Sequence, residues 1–127
     1  MNLAIEKQEQ YALLVIDNAR IDHDDSQQLQ VALLDLLDDS DVQNVIIDAS
    51  RVTNADESMI GPIAFANKRF KESGGVLVVA SACKKLQTMI ELSQLDQGVE
   101  MLPTLTEAVD FVFMHEIEKQ LRNEGDL

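Results

Sequence analysis

The chain has 127 residues, 46% hydrophobic but only 4% aromatic and without Trp. That is one ordinary domain, with enough Leu, Ile, Val and Ala for a true core and an α/β packing favoured over an aromatic-rich cleft. Its formal net charge of −13 argues against contact with nucleic acid or an anionic membrane, whose phosphates would be repelled; a basic protein surface would be steered toward it.

Leu3–Lys7 and Ala12–Asp17 read as short strands separated by the polar turn Gln8-Glu9-Gln10. Asn18–Asp22 reads as a loop. Asp24, Asp25 or Ser26 can cap a helix running to about Leu37, with Leu29, Leu33, Leu36 and Leu37 on its buried face. Val42–Asp48 is nearly continuous in Val and Ile, as in a strand covered on both faces. After it come a loop and a serine, Ser58, placed where a second helix should begin and preceded by Asp56 and Glu57. That helix runs to Lys71 and is closed by Gly74-Gly75. Val76–Ala80 is a buried strand, Lys84–Leu92 a short helix and Gly98–Leu102 a last strand. Pro103 follows, and Thr104-Leu105-Thr106-Glu107 has the capping-box pattern that opens a final helix.

The order ββαβαβαβα predicts one α/β domain, with a mostly parallel or mixed central sheet of about five strands and about four helices. Residues 1–114 are expected to form the domain. Residues 115–127 are expected to form a helical extension whose end, Asn123 to Leu127, frays.

A hydroxyl at a helix N-terminus is either a cap or a place that receives a phosphate well. Asp56 and Ser58 both suit the cap, and acids there gain about 0.3–1 kcal/mol from the helix dipole. Further along, Ile60, Ile63, Ala66, Asn67 and Phe70 share the core face. Ser58, Gly61, Phe65, Lys68, Arg69 and Glu72 fall on the other side. Phe65 is the odd member there: either a single exposed apolar residue or a partner anchor. In the final helix Leu105, Ala108, Val109 and Val112 form the core stripe, and burial should stop near Phe113. Phe111, Met114, Ile117 and Leu121 form a second stripe. It reads as an amphipathic tail or as a self-association or partner surface.

Little supports catalysis. Asp22-His23-Asp24-Asp25 precedes a helix, where acids serve as caps, and His115-Glu116-Ile117-Glu118-Lys119 lacks the second His of a zinc-protease motif. No phosphate-binding Gly-Lys-Ser/Thr loop and no Gly-x-Gly-x-x-Gly occurs. The single Cys83 permits neither an internal disulfide nor a cysteine metal site. Lys84 and Lys85 would favour its thiolate, but no His is near it in sequence. No catalytic residue, metal or cofactor is expected. The N-terminus lacks signal-peptide character, and apolar runs of about five residues are far short of the roughly 20 that span a bilayer. These features predict a soluble cytoplasmic protein with no membrane insertion.

Three places carry a resemblance. Ile47-Asp48, Val52-Thr53 and Asp56-Glu57-Ser58-Met59-Ile60-Gly61 look like an Asp-Ser-Ser-Gly-Leu-Gly segment. Lys71-Glu72-Ser73-Gly74-Gly75 leads into Val76–Ala80. Ile90-Glu91-Leu92-Ser93-Gln94-Leu95-Asp96 is similar to a leucine-rich turn. With the element order, these make the chain resemble the STAS domain family of bacterial anti-sigma factor antagonists, over roughly Leu3 to Val112. The resemblance implies a regulator of transcription acting by partner switching. Ser58 would be phosphorylated by a serine kinase that doubles as the anti-sigma factor, and the unmodified protein would bind that partner. The motif residues Asp56, Glu57, Ser58, Met59 and Gly61, with Phe65, Lys68 and Arg69 from the helical spacing, make up the expected partner surface. Glu57 and Met59 depart from the small residues of the family motif, and Asn18-Ala19-Arg20-Ile21-Asp22 departs from its Gly-Arg-Leu-Asp. The alternative is a STAS subunit with unmodified Ser58, docking on a stress-signalling scaffold or a transporter ATPase.

Overall fold

The computed structural model describes residues 1–93 and 98–125. In chain order the elements are β1 (Leu3–Lys7), β2 (Ala12–Ile16), β3 (Arg20–Ile21), α1 (His23–Asp38), β4 (Val45–Asp48) and β5 (Asn54–Ala55). A 3₁₀ turn (Glu57–Met59) then leads into α2 (Ile60–Glu72), followed by β6 (Leu77–Ala80), α3 (Lys84–Leu92), β7 (Glu100–Leu102) and α4 (Leu105–Gly125). The main sheet has the order β1-β2-β4-β6-β7, antiparallel between β1 and β2 and parallel elsewhere. Of the segment Ile90–Asp96, the part from Gln94 lies outside the described residues, as do Asp126 and Leu127 at the end of the chain.

The apolar runs are continuous because the sheet is covered on both sides. Leu14, Ile16, Val45, Ile47, Leu77 and Val79 pack in one cluster with Leu29 and Leu33 of α1, Ile63 and Phe70 of α2, and Leu86 of α3. The alternate residues Leu13, Ile46, Val78 and Ala80 pack with Ala108 and Val112 of α4. One strand thus serves two cores through the period of two along its backbone.

Several local expectations change. The first helix is capped by Asp22, not by Asp24, Asp25 or Ser26. Asp22 Oδ1 accepts from the Asp25 N–H at 2.9 Å, and Asp25 Oδ2 accepts from the Asp22 N–H at 3.0 Å. Ser26 is buried on the Leu29 side of α1. The loops at 18–22 and 49–56 contain β3 and β5, which pair in parallel, Arg20 with Asn54 and Ile21 with Ala55. Such a bridge leaves no period to read, because each strand has only two residues.

Helix α4 continues past residue 114 through Gly125, with Asn123 and Glu124 within it. Past residue 114 it is tied to the domain at the N-terminal ends of β4 and β6. Asn44 Nδ2 donates to Glu116 Oε1 at 2.8 Å, Lys119 Nζ donates to Gln43 Oε1 at 3.0 Å, and His115 Nε2 lies 2.9 Å from the Gly74 carbonyl oxygen. Phe111 leaves the outer stripe and packs against the α4-side core.

Candidate functional site

The site is built by the chain returning from the C-terminal end of β4. Ala49 and Val52 are buried and draw the loop back over the core. Thr53 and Asn54 donate their N–H groups to the Ala19 carbonyl at 2.8 and 3.0 Å, and the Asp56 N–H donates to the Ile21 carbonyl at 2.9 Å. The β3–β5 bridge therefore sets Asp56, Glu57 and Ser58 beside the first turn of α1.

Asp56, not Ser58, is the cap of the 3₁₀ turn: its Oδ2 accepts from the Ser58 N–H at 3.0 Å. The Ser58 hydroxyl caps nothing. It donates to Ser26 Oγ at 2.8 Å, and Ser26 Oγ donates to the Asp22 carbonyl at 3.1 Å. A relay of hydroxyls thus runs from the half-buried Ser58 into the base of α1. The Ser58 hydroxyl, for whose one proton Asp56 competes with Ser26, and then the Ser58 N–H, hold the Asp56 carboxyl below the usual carboxylate range, with smaller help from His23 and Lys85. Asp56 is therefore a firmly ionised neighbour of Ser58 at neutral pH.

Not every implied surface residue is on the surface. Met59 is 0% exposed and belongs to the core cluster, so it cannot touch a partner. A large apolar side chain at this turn finds α1 and the sheet beneath it, where burial is favourable. Glu57, Gly61, Phe65, Lys68 and Arg69 are exposed. A Cβ at Gly61 would meet nothing within 4 Å, so that part of α2 lies open. Phe65 is 46% exposed, and the Arg69 guanidinium carbon sits 5.6 Å from its ring centroid. This cation–π pair covers one side of the ring and limits its freedom.

The two residues before Ser58 each line a depression. On the side of Asp56 is a polar cleft of about 440 Å³ lined by Arg20, Asp22, Asn54, Asp56 and Lys85. There Lys85 Nζ donates to Asn54 Oδ1 at 2.6 Å. On the side of Glu57 is a more apolar groove of about 370 Å³, lined by Ile60, Met89, Leu92 and Ser93 as well as Glu57. Sequence reasoning missed Ser26, Arg20 and Lys85. For Ser26 a signal existed, since a polar residue at 26 continues the apolar spacing of 29, 33 and 36. For Arg20 and Lys85 none did, because the pairing of β3 with β5 and the reach of Lys85 from α3 to Asn54 bring them together. Among the described residues no group of His, Cys, Asp and Glu is arranged to hold a metal, and no helix is long and apolar enough to cross a membrane.

Comparison with protein families matches residues 7–106 to the family described as "Mlab, STAS domain". Comparison with curated protein sequences gives no match. Among solved structures the chain is similar to a Thermotoga maritima protein described as an anti-sigma factor antagonist. Their TM-score is 0.72 at 19% identity, covering 87% of this chain and 93% of that one. It is also similar to the anti-sigma factor antagonist SpoIIAA in its unphosphorylated form, with TM-score 0.71, 16% identity and coverage of 87% and 97%. The Bacillus cell fate determinant SpoIIAA in its phosphorylated form gives TM-score 0.69, 17% identity and coverage of 87% and 99%. At these identities the likeness is one of fold.

Proposed function

Because the chain belongs to the STAS domain family, we propose that it is a regulatory binding protein of the anti-sigma factor antagonist kind, controlled by phosphorylation of Ser58. Its partner in this reading is a serine kinase that is also the anti-sigma factor, and both act in the cytoplasm. The protein works by binding, not by catalysis. The observation that carries the reading is the Ser58 hydroxyl, half-buried and bonded to Ser26 at 2.8 Å, next in sequence to Asp56 and Glu57, which each line a depression. Fold-sharing with structures of SpoIIAA in both phosphorylation states is consistent with it.

The chemistry of the switch follows from that arrangement. The kinase must turn the hydroxyl away from Ser26, at a cost of about 0.5–1.5 kcal/mol for one hydrogen bond. The phosphate ester oxygen carries no proton and cannot donate back to Ser26. The group adds about −1.5 to −2 charges. Asp56 and Glu57 oppose it: at about 6 Å each unit pair costs about 0.7 kcal/mol at ε of 80 and about 2.8 at ε of 20. A partner surface fitted to a neutral hydroxyl, with Asp56, Glu57, Gly61, Phe65, Lys68 and Arg69 around it, would then release. The fold is retained, because the charge sits at a helix N-terminus.

A second reading, docking on a scaffold or a transporter ATPase with Ser58 unmodified, is favoured by the inward direction of the same hydroxyl. Incubation with an anti-sigma-type serine kinase and ATP, phosphosite mapping and pull-down separate the two. Phosphate on Ser58, absent from Ser58→Ala, with loss of the partner on modification, is the expected result. Phosphate elsewhere, or none on Ser58, overturns the switch, and partner capture unchanged by kinase and ATP favours docking.

A further inference from the structure

The sheet face opposite α1, α2 and α3 carries, among the described residues, only α4. The inner side of that helix is occupied by Ala108 and Val112 and by the bonds of Glu116 and Lys119. Its outer side is apolar. Met114 is 55% exposed, Ile117 48% and Leu121 61%, and at 100° per residue they fall within an arc of about 60°. Beside them Phe113 is 42% exposed and its ring meets Tyr11 at 6.5 Å. Four of the nine exposed large hydrophobics among the described residues are thus gathered on two turns of one helix. Apolar residues scattered singly over a surface need no explanation, but a contiguous stripe does.

The charges around the stripe select its occupant. Asp110 lies within the same arc, Glu107 and Glu118 border one edge and Glu124 the other, all exposed. Among the described residues of α4, the one cation bordering the stripe is Arg122. A second copy would bring two acidic rims together between chains that each carry −13, and like-charge juxtaposition costs several kcal/mol. An anionic lipid surface meets the same repulsion. We infer that the outer face of α4 docks an amphipathic helix of a partner protein, with two or three apolar residues over about two turns and Lys or Arg on both flanks. This surface lies across the sheet from Ser58 and does not depend on the switch. Of the readings the sequence leaves open for this stripe, it takes the partner surface over self-association.

The test is titration calorimetry of the full chain with a synthetic Leu/Lys peptide of helical amphipathic pattern, against a scrambled peptide of equal composition. The patterned peptide is expected to bind about tenfold more tightly or better. The paired change Met114→Ser and Leu121→Ser should remove that preference. Asp110→Asn with Glu118→Gln should weaken binding about tenfold and reduce its salt dependence. Val31→Ser, on the exposed side of α1, should leave it unchanged. Circular dichroism checks that each variant is folded, as expected for changes at exposed positions. Equal affinity for the two peptides, or insensitivity to both paired changes, overturns the proposal. So does a dimer in sedimentation that Met114→Ser and Leu121→Ser dissolves, because a second copy would then be the occupant.

Discussion

At the scale of single residues, the site turns on one proton. The Ser58 hydroxyl donates to Ser26 Oγ, and the ionised Asp56 carboxylate beside it offers another acceptor. Ser26 is 2% exposed, so its half of the bond is shielded from water. Removing it with Ser26→Ala leaves the Asp22 carbonyl served by the backbone N–H of residue 26, at 3.0 Å. The cost should therefore be that of one hydrogen bond, about 1 kcal/mol in urea unfolding. With its inward acceptor gone, Ser58 is freed toward solvent and Asp56, and its initial rate of phosphorylation should rise. A slower or unchanged rate would show that Ser26 does not restrain the hydroxyl.

At the scale of elements, the junction of α2, β4, β6 and α4 is the most constrained place in the fold. Helix α2 ends in a Schellman arrangement. The Gly75 N–H donates to the Phe70 carbonyl at 2.8 Å, and the Gly74 N–H to the Lys71 carbonyl at 3.0 Å. Gly74 has φ of +86°, the left-handed region that glycine enters without strain. Gly75 is needed for a different reason: a Cβ there would lie 1.7 Å from the Gln43 backbone oxygen. Next to it the buried Asn44 donates to the Gln10 carbonyl and to Glu116, and accepts from the Val76 N–H at 3.0 Å. Gly75→Ala must move backbone in this knot. It should lower stability by about 1–3 kcal/mol, toward the upper end because the obstacle is main chain. Thermal unfolding measures this, and a melting temperature equal to wild type would mean that the approach is looser than the geometry implies.

At the scale of the whole molecule, charge sets the response to acid. Among the described residues, three carboxyls lie below their ordinary range. For Asp25 the first cause is the Asp22 N–H, for Asp39 the hydrogen bond from Lys7, and for Asp56 the Ser58 hydroxyl. A carboxyl whose folded pKa lies below its unfolded value of about 3.9 stabilises the fold above that value. That contribution is lost as pH falls from there through the folded pKa. Self-repulsion of the −13 charge acts the other way and is relieved as pH falls toward the pI of about 4.3. Urea midpoints should thus hold or rise slightly down to about pH 4 and drop steeply below it. The drop should be shallower in Asp56→Asn, and an equal drop would remove Asp56 from the account.

The sequence by itself determined the α/β order, the five-stranded sheet, most of the core and the position of Ser58. Those features rest on local signals: the period of 3.6 at Leu29, Leu33 and Leu36, the Val and Ile runs of β4 and β6, and the Gly74-Gly75 stop. Only the tertiary structure decided that Asp56 is the cap, that Ser58 is bonded to Ser26, that Met59 is interior, and that α4 is fastened through Glu116 and Lys119. Apart from the local Asp56 cap, these rest on contacts between residues far apart in the chain. Local periodicity shows which face of an element is apolar, but the partner of a polar group is chosen by packing, when strands such as β3 and β5 bring distant segments together.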